Sequence, residues 1–457
     1  MKFNLKPRDV PKLITKHRKI VTKIPVPESI QTLEKIRKYE SSNVMEQLPV
    51  IWDLAKDYQI CDEWGNVWID FTSTIFVTNA GHGNKFVIKR LQEMLNKPLL
   101  HSYSYATKIR GEFLEKLIDM TPNYLKKASL FSSGTEASER AIKLSRIYGK
   151  NFSPEKKFIV GGEGNYHGKT MGAQMVGGQN KGKEWIGNLD PDMVQMPFPY
   201  PWNVEKSNLT GEEIFYKDLK DLEQRGIKLS EIAAFFVESF QGWGGIFYPK
   251  DYIQAMRKWS ENNKSLLVFD EIQAGFGRTG KFFAYEYYDV VPDLVICGKA
   301  ISSAMPLSAV LGESELIELD PTYTSTHGGH PFACASGLGN LEAFEKENLV
   351  EEAKRKEKIV FTEIEKWREK FPERIERVIG HGLLFGVFIK KPGTDELDNE
   401  FTDQIVELAM EKGVFSIRTG MGTLKLGPPL NIPDDALVEG LSVYEDCLKE
   451  LTNKNNR

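Results

Sequence analysis

Lys299 is the residue whose setting points most directly to chemistry. It is the only charged residue between Asp293 and Glu313, within the apolar stretch 294–312. We expect folding to carry this stretch into an apolar interior, where a lone ammonium group tends to lose its proton and become an amine nucleophile able to form a Schiff base. A lysine at a surface turn between two strands is the alternative, and Lys299 by itself does not decide between them.

Asp270 is a second candidate, at the end of the apolar run 265–269 and before a glycine-rich loop. A carboxylate in this place can ligate a metal, act as a base or pair with a protonated ring nitrogen. Asp270 and Lys299 follow neighbouring strands of the same inferred sheet. Because ligands of such sheets lie at the carboxyl ends of the strands, the two residues are expected to share one site.

A phosphate-binding helix start is predicted at Ser133, Gly134 and Thr135. Ser133 and Glu136 have the spacing of a capping box, and an apolar stripe that includes Ala137 follows them. Free amide groups at a helix amino terminus attract an anion such as phosphate, the two hydroxyls add donors, and glycine lets the backbone approach closely. An ordinary capped helix is the alternative.

Two other motifs are set aside. Residues 164–170 resemble a P-loop, but that pattern requires glycine at position 163, where the chain has Glu163. A nucleotide triphosphatase is therefore not expected. His327 and His330 stand among glycines without a nearby third ligand, which is more typical of turn residues than of a metal site, so no metal is predicted.

The composition is that of a globular protein with a small-molecule partner. The chain has 457 residues, 41% of them hydrophobic, and a formal net charge of -4, which gives no electrostatic reason to expect nucleic acid or an anionic membrane. The four cysteines are far apart, so reduced thiols and a cytoplasmic location are expected. Residues 1–23 carry eight Lys or Arg against one Asp, as a docking arm or a solvated lead-in would.

Short apolar runs alternate with amphipathic segments from about residue 85 to 335, which predicts an α/β fold with a mostly parallel sheet covered by helices. The domains expected are a basic extension at 1–45, the amino-terminal part of a small domain at 46–84, a large domain at 85–335 and an α+β small domain at 336–457.

Six motifs in order resemble the class III aminotransferases, which are pyridoxal-phosphate enzymes of fold type I. They are residues 133–137, 166–170, 237–242, 269–280, 298–300 and 325–331. The resemblance implies a large domain with a seven-stranded sheet and a small domain built from both termini. It implies amino transfer from a primary amine or amino acid to a keto acid or aldehyde, by a ping-pong mechanism through pyridoxamine phosphate.

The resemblance also assigns roles to residues. Lys299 would form the Schiff base with pyridoxal phosphate and shuttle the proton, and Asp270 would pair with the pyridine nitrogen. Thr326 would reach the cofactor of the neighbouring subunit, which implies a homodimer. The other cofactor-binding residues implied are Ser133, Gly134, Thr135, Tyr166, His167, Glu238, Ile272 and Gln273.

The chain departs from the family pattern where members recognise substrates. Ser239 replaces a frequent proline, and Trp243 stands where a glutamate is common. Lys425 and Lys169 stand where many members have arginine.

Lysine does not reproduce the bidentate grip of arginine on a carboxylate, so glutamate is not established as the amino donor, although Lys425 can still bind a carboxylate less rigidly. Trp243, Lys169 and Lys425 are the candidate substrate residues, and the identity of the amino donor stays open. An aminomutase, racemase or epimerase of the same family is an alternative, and a non-catalytic binding subunit is a further one.

Overall fold

The computed structural model of the chain describes residues 3–41 and 47–455. The strands, numbered along the chain, are β1 (Leu13–Ile14), β2 (Lys19–Ile20), β3 (Leu54–Lys56), β4 (Gln59–Cys61), β5 (Val67–Asp70), β6 (Lys127–Phe131), β7 (Phe158–Gly162), β8 (Met193–Met196), β9 (Ile232–Glu238), β10 (Leu266–Asp270), β11 (Leu294–Cys297), β12 (Ser308–Gly312), β13 (Ile375–His381), β14 (Leu384–Ile389), β15 (Val414–Phe415), β16 (Ile417–Arg418) and β17 (Leu424–Leu426).

The α-helices are α1 (Ile30–Tyr39), α2 (Ser73–Phe76), α3 (Lys85–Leu95), α4 (Lys108–Asp119), α5 (Gly134–Lys150), α6 (Met171–Val176), α7 (Pro201–Ser207), α8 (Gly211–Gln224), α9 (Lys250–Asn262), α10 (Ser314–Ile317), α11 (Pro331–Lys346), α12 (Leu349–Lys370), α13 (Asn399–Glu411) and α14 (Asp434–Asn455). None of the helices in the described part of the chain is both long and apolar enough to cross a membrane.

The chain forms two compact units. One combines Met1–Asn84 with Glu351–Arg457, and the other is Lys85–Val350. The domain boundaries inferred from the sequence stay a prediction.

The unit Lys85–Val350 is built on a seven-stranded sheet of order β6-β12-β11-β10-β9-β7-β8. Strands β8, β7, β9, β10 and β11 pair in parallel, whereas β12 is antiparallel to both of its neighbours. The predicted α/β fold with a mostly parallel seven-stranded sheet is therefore confirmed. The parallel strands are buried on both faces, which explains why they read as continuous apolar runs.

Helix α5 packs its predicted apolar stripe onto this sheet. Ala137, Ala141 and Leu144 of the helix are fully buried with Val268 and Ile296 of the strands. Burying this stripe holds the amino terminus of α5 at the edge where the parallel strands end.

The unit formed by both ends of the chain contains two smaller sheets. One has the order β1-β2-β5-β4-β3, with β15 also pairing with β5, and the other has the order β13-β14-β17-β16. The fully buried Trp68 anchors the first sheet, and its indole nitrogen donates to the Met410 carbonyl over 2.9 Å.

The basic amino-terminal arm is bound within this unit by ion pairs. Lys16 and His17 contact Asp435, and Arg18 Nε lies 2.7 Å from Glu439 Oε1. Arg8 pairs with Glu407 and Glu411 of α13. Of the two alternatives for the arm, docking is the one observed for these residues. The junction predicted at residues 45 and 46 lies outside the described residues.

Candidate active site

Lys299 and Asp270 lie at the same edge of the seven-stranded sheet. Asp270 ends β10 and pairs in register with Ile296 of β11, and Lys299 follows β11 by two residues. Lys299 has a φ of 45°, a conformation that a non-glycine residue adopts at a cost and that is common at functional sites. The predicted proximity of the two residues therefore follows from the strand order.

Lys299 is neither fully buried nor alone. It is half-buried, and desolvation lowers the pKa of its ammonium group, while the Asp270 and Glu238 carboxylates oppose that shift. The expectation of an uncompensated lysine in an apolar interior is therefore wrong in one respect, because the polar ends of β9 and β10 face it. Lowering the pKa favours the neutral amine that a nucleophile needs.

Asp270 is held by two hydrogen bonds. His167 Nδ1 donates to Asp270 Oδ2 over 2.8 Å, and the Ile272 amide donates to Oδ1 over 3.0 Å. Since a carboxylate only accepts, Nδ1 of His167 carries the hydrogen. His167 Nε2 is buried and has no partner within the described residues. A carboxylate that is held in place by an imidazole hydrogen bond is suited to pairing with a protonated ring nitrogen.

Glu238 ties together two loops beside this pair. It ends β9 opposite Asp270, and its carboxylate accepts from the Tyr166 amide over 2.8 Å and from the Gly242 amide over 3.0 Å. Burial raises the pKa of Glu238, and the neighbouring Asp270 charge raises it further. Glu238 therefore fixes the loops that carry Tyr166 and Trp243.

The predicted capped helix start at Ser133 is present, and its binding of a phosphate stays a prediction. Ser133 caps α5, and the Ser133 amide donates to the Glu136 carboxylate over 2.8 Å, which completes the capping box. The Thr135 hydroxyl, in the first turn, lies 2.6 Å from the Thr170 hydroxyl. The positive end of the helix dipole and these hydroxyls favour an anion such as phosphate.

Two glycines leave room for Ile272 at the centre of the site. A Cβ atom at Gly134 would lie 2.6 Å from Ile272 Cδ1, and one at Gly298 would lie 3.2 Å from Ile272 Cγ2. The Ile272 side chain is thus packed between the start of α5 and the segment that carries Lys299. It supplies an apolar surface on which a flat ring can rest.

The remaining predicted residues of this unit lie at its surface or beside the site. Tyr166 and Trp243 are 42% and 37% exposed, and Lys169 and Thr326 are exposed. Gln273 Oε1 lies 2.8 Å from the position that a Cβ atom of Gly242 would take.

Lys425 lies in the unit formed by both ends of the chain. It is buried on β17, and its ammonium group lies over the Phe76 ring, 4.9 Å from the centroid. Phe76 ends α2, a turn whose residues all have left-handed φ values of 46° to 68°. The aromatic face therefore stabilises the buried ammonium group through a cation–π contact.

Sequence reasoning missed two carboxylates that organise the site. Glu271 is fully buried and accepts from the Ser239 hydroxyl and from the Ala284 and Tyr285 amides. Glu139 accepts from the Thr170 hydroxyl and the Ala173 amide. For Glu139 a signal existed, because it stands one helical turn after Thr135. Ser239 had been noted as a departure from the family pattern, but nothing in the sequence indicated its contact with Glu271.

The site therefore combines an amine, a carboxylate hydrogen-bonded to an imidazole, an apolar side chain and a helix amino terminus. Within residues 3–41 and 47–455 there is no group of three or more His, Cys, Asp or Glu side chains placed to hold a metal ion. These parts can hold a flat, phosphorylated ring with a nitrogen at one end and an electrophile near Lys299.

The chain is similar in sequence and fold to known proteins. The family model described as Aminotransferase class-III matches residues 41–448. The chain is 30% identical to a 4-aminobutyrate aminotransferase of Mycobacterium leprae over 95% of this chain and 99% of the relative. It is 30% identical to an isoleucine 2-epimerase of Lentilactobacillus buchneri over 92% and 94%. The crystal structure of a transaminase from the marine bacterium Virgibacillus superposes with a TM-score of 0.84 at 26% identity, covering 93% of this chain and 99% of that one.

Proposed function

The chain belongs to the class III aminotransferase family and is an aminotransferase, and we propose that it works with pyridoxal phosphate bound around Lys299. The substrates proposed are a primary amine or amino acid as donor and a keto acid or aldehyde as acceptor. The observation that carries this proposal is the placement of a half-buried amine, Lys299, and the carboxylate of Asp270 at the same sheet edge, where the carboxylate acts electrostatically on the amine.

The residues of the site fit this cofactor. Gly134 and Gly298 leave a space for Ile272, whose side chain offers an apolar surface to one face of a ring. The start of α5 offers Ser133, Gly134 and Thr135 to a phosphate. When bound, pyridoxal phosphate supplies an aldehyde that condenses with amines and a ring that withdraws electrons from the amine-bearing carbon.

Each polar residue then has a defined task. Asp270, fixed by His167, would hold the proton on the ring nitrogen through a buried charge-assisted hydrogen bond. The Lys299 Nζ atom would take the proton from the amine-bearing carbon of the donor and return it at the next step. Tyr166 would cover the ring face opposite Ile272, and Gln273 would bind the ring hydroxyl.

We further propose a homodimer in which Thr326 reaches the cofactor phosphate of the partner subunit. The support is the resemblance of residues 325–331 to the family motif and the position of Thr326, which is exposed next to Ser325. The Ser325 hydroxyl donates to Glu136 Oε1 over 3.0 Å, so this segment is attached to the first turn of α5.

A second candidate reaction uses the same residues. The likeness to an isoleucine 2-epimerase favours proton exchange at one carbon without transfer of the amine. Both reactions need Lys299 and Asp270, and they differ in whether a keto acid is consumed. Product analysis with and without a keto acid separates them.

The direct test is the near-visible absorption of the holoenzyme during addition of candidate amines without an acceptor. An aminotransferase is expected to lose the absorption band of the bound cofactor as the donor is converted. An epimerase is expected to recover this band at the end of each turnover. Reduction with borohydride should fix the cofactor mass on the peptide that contains Lys299, and Lys299→Ala should lack this adduct. An adduct on another lysine would overturn the assignment.

A further inference from the structure

The Thr135 hydroxyl, which is proposed to serve the cofactor phosphate, begins a chain of hydrogen bonds that ends on a carboxylate. Its Oγ1 atom lies 2.6 Å from Oγ1 of Thr170, and the Thr170 hydroxyl donates to Glu139 Oε1 over 2.5 Å. The Ala173 amide donates to the same carboxylate oxygen over 3.0 Å. The chain therefore joins the loop that follows His167 to the first turns of α5.

The direction of each hydrogen in this chain follows from the chemistry of the groups. A carboxylate only accepts, so the one hydroxyl hydrogen of Thr170 is directed at Glu139. Thr170 must then accept in its contact with Thr135, so the Thr135 hydrogen is directed at Thr170. The Thr135 oxygen also accepts from the Thr170 amide over 3.3 Å. In this arrangement Thr135 has no hydroxyl hydrogen left for a phosphate.

The loop is packed closely against α5 along the whole chain of hydrogen bonds. A Cβ atom at Gly168 would overlap with the Thr135 hydroxyl, and one at Gly172 would overlap with the Glu139 carboxylate. The Ser138 hydroxyl of α5 also donates to the carbonyl of His167 in the loop over 2.7 Å. Because the two backbones are held together in this way, the hydrogen bonds can change by rotation of the hydroxyl groups without movement of the loop.

A phosphate at the helix start has to compete with Glu139 for these hydrogens. If Thr135 turned its hydrogen to a phosphate oxygen, Thr170 would have to turn its own hydrogen to Thr135, because two oxygens 2.6 Å apart repel each other unless a hydrogen lies between them. Glu139 would then keep the Ala173 amide and lose the Thr170 hydroxyl. A hydrogen bond to a charged acceptor is among the stronger ones, so its loss opposes phosphate binding.

We infer that Glu139, acting through Thr170, is a positioning residue that weakens the binding of the cofactor phosphate by holding the Thr135 hydroxyl hydrogen away from it. This inference rests on the proposed function. Its consequence is an enzyme that releases its cofactor more readily than the start of α5 alone would allow. The effect acts on the phosphate and leaves the contacts of the cofactor ring unchanged.

The test compares the dissociation constants of pyridoxal phosphate and of pyridoxal, which lacks the phosphate, for the full chain freed of its cofactor. Thr170→Val removes the acceptor of the Thr135 hydrogen, changes no charge and keeps the amide that donates to Thr135. We expect the dissociation constant of pyridoxal phosphate to fall about tenfold and that of pyridoxal to stay the same. Thr170→Ser retains the hydroxyl and should match the wild type. An unchanged or higher dissociation constant of pyridoxal phosphate in Thr170→Val would overturn the inference.

Two further variants test the other members of the chain. The double variant Thr135→Val, Thr170→Val should lose the gain in affinity, because the hydrogen that would bind the phosphate comes from Thr135. Glu139→Gln keeps an acceptor for Thr170 without the negative charge and should show part of the gain. A gain that persisted in the double variant would refute the role of Thr135.

The two ligands also separate this inference from the proposed function and from a general effect on packing. If the wild type bound neither ligand, the proposed function would fail and this inference with it. If the wild type bound pyridoxal phosphate and every variant had the same ratio of the two dissociation constants, only this inference would fail. A change in packing would alter the affinity for both ligands alike, so equal shifts for both in Thr170→Val would also refute the inference.

Discussion

His167 donates a hydrogen bond through Nδ1 to Oδ2 of Asp270 over 2.8 Å, and both side chains are buried. The bond joins the loop after β7 to the end of β10. It leaves Oδ1 of Asp270 bonded to the Ile272 amide. The carboxylate that we propose as partner of the cofactor nitrogen is thus fixed from two sides by hydrogen-bond donors.

Replacing His167 should weaken cofactor binding. His167→Phe removes the Nδ1 donor, so the Asp270 carboxylate that would pair with a ring nitrogen is held by one hydrogen bond fewer. A hydrogen bond to a charged group contributes about 1.5–3 kcal/mol, so we expect the dissociation constant of pyridoxal phosphate to rise about 10- to 100-fold. Equilibrium titration of the apoenzyme measures it. His167→Asn keeps an amide N–H near the Nδ1 position, so its dissociation constant should lie between those of the wild type and His167→Phe. Equal affinity in all three proteins would contradict the role of His167.

The Ser239 hydroxyl should contribute more to the stability of the protein at alkaline than at acidic pH. Burial raises the pKa of Glu271 to about 8, and the Ser239 hydroxyl opposes that shift by bonding the charged form. Between the unfolded pKa and about 8 the folded protein holds the extra proton, so stability from this group falls as pH rises through that window. Ser239→Ala removes the bond to the charge. We therefore expect a loss in Tm that is larger at pH 9 than at pH 6, measured by scanning calorimetry.

The control for Ser239→Ala is Ser230→Ala, since Ser230 is exposed. Its effect on Tm should be small and the same at both pH values. A Ser239→Ala penalty that did not grow with pH would exclude Glu271 as the group that responds.

His330 should make the unit Lys85–Val350 less stable in acid. Its Nδ1 atom accepts from the Phe332 amide over 3.2 Å at the start of α11. Desolvation lowers the pKa of His330, and His101 and His327 lower it further, while the Leu100 carbonyl opposes them. Because the folded pKa lies below the unfolded one, the unfolded chain binds more protons as the pH falls below about 6.5, and stability declines there.

Two variants of His330 separate the cap from the proton. Asparagine retains an acceptor for the Phe332 amide and cannot be protonated, so His330→Asn should flatten the fall of Tm between pH 7 and pH 5. His330→Ala loses the cap and should cost about 1 kcal/mol at pH 7, and less at pH 5, where protonation removes the Nδ1 acceptor of the wild type as well. An unchanged pH dependence in His330→Asn would show that other groups cause the decline.

The amino-terminal arm should be released by salt or by removing its acidic partners. The side chains of Lys16 and His17 lower the pKa of Asp435 to about 2, so Asp435 is ionised throughout the usual pH range. In the double variant Asp435→Asn, Glu439→Gln we expect faster tryptic cleavage after Lys16 and Arg18. High salt should accelerate cleavage of the wild type, because it screens the exposed pair of Lys16 and Asp435. Asp446→Asn, an exposed residue of the same helix, is the control and should cleave like the wild type.

Local sequence patterns determined the main features of the fold and the candidate site. The apolar runs that became β7, β9, β10 and β11 are continuous because both faces of the sheet are covered, and this pattern lies within each run. The capping box at Ser133 spans four residues, Ser133 to Glu136, and could likewise be predicted from the sequence. Lys299 and Asp270 could be assigned to one edge because parallel strands end together.

Only the tertiary structure decided which distant residues meet. His167 and Asp270 are 103 positions apart, and Ser239 and Glu271 are 32 apart. The antiparallel direction of β12 and the pairing of the basic arm with α13 and α14 were equally hidden. The reason is physical. Periodicity and capping are properties of neighbours along the chain, whereas these contacts depend on the order in which the strands pack and on which loops that order brings together.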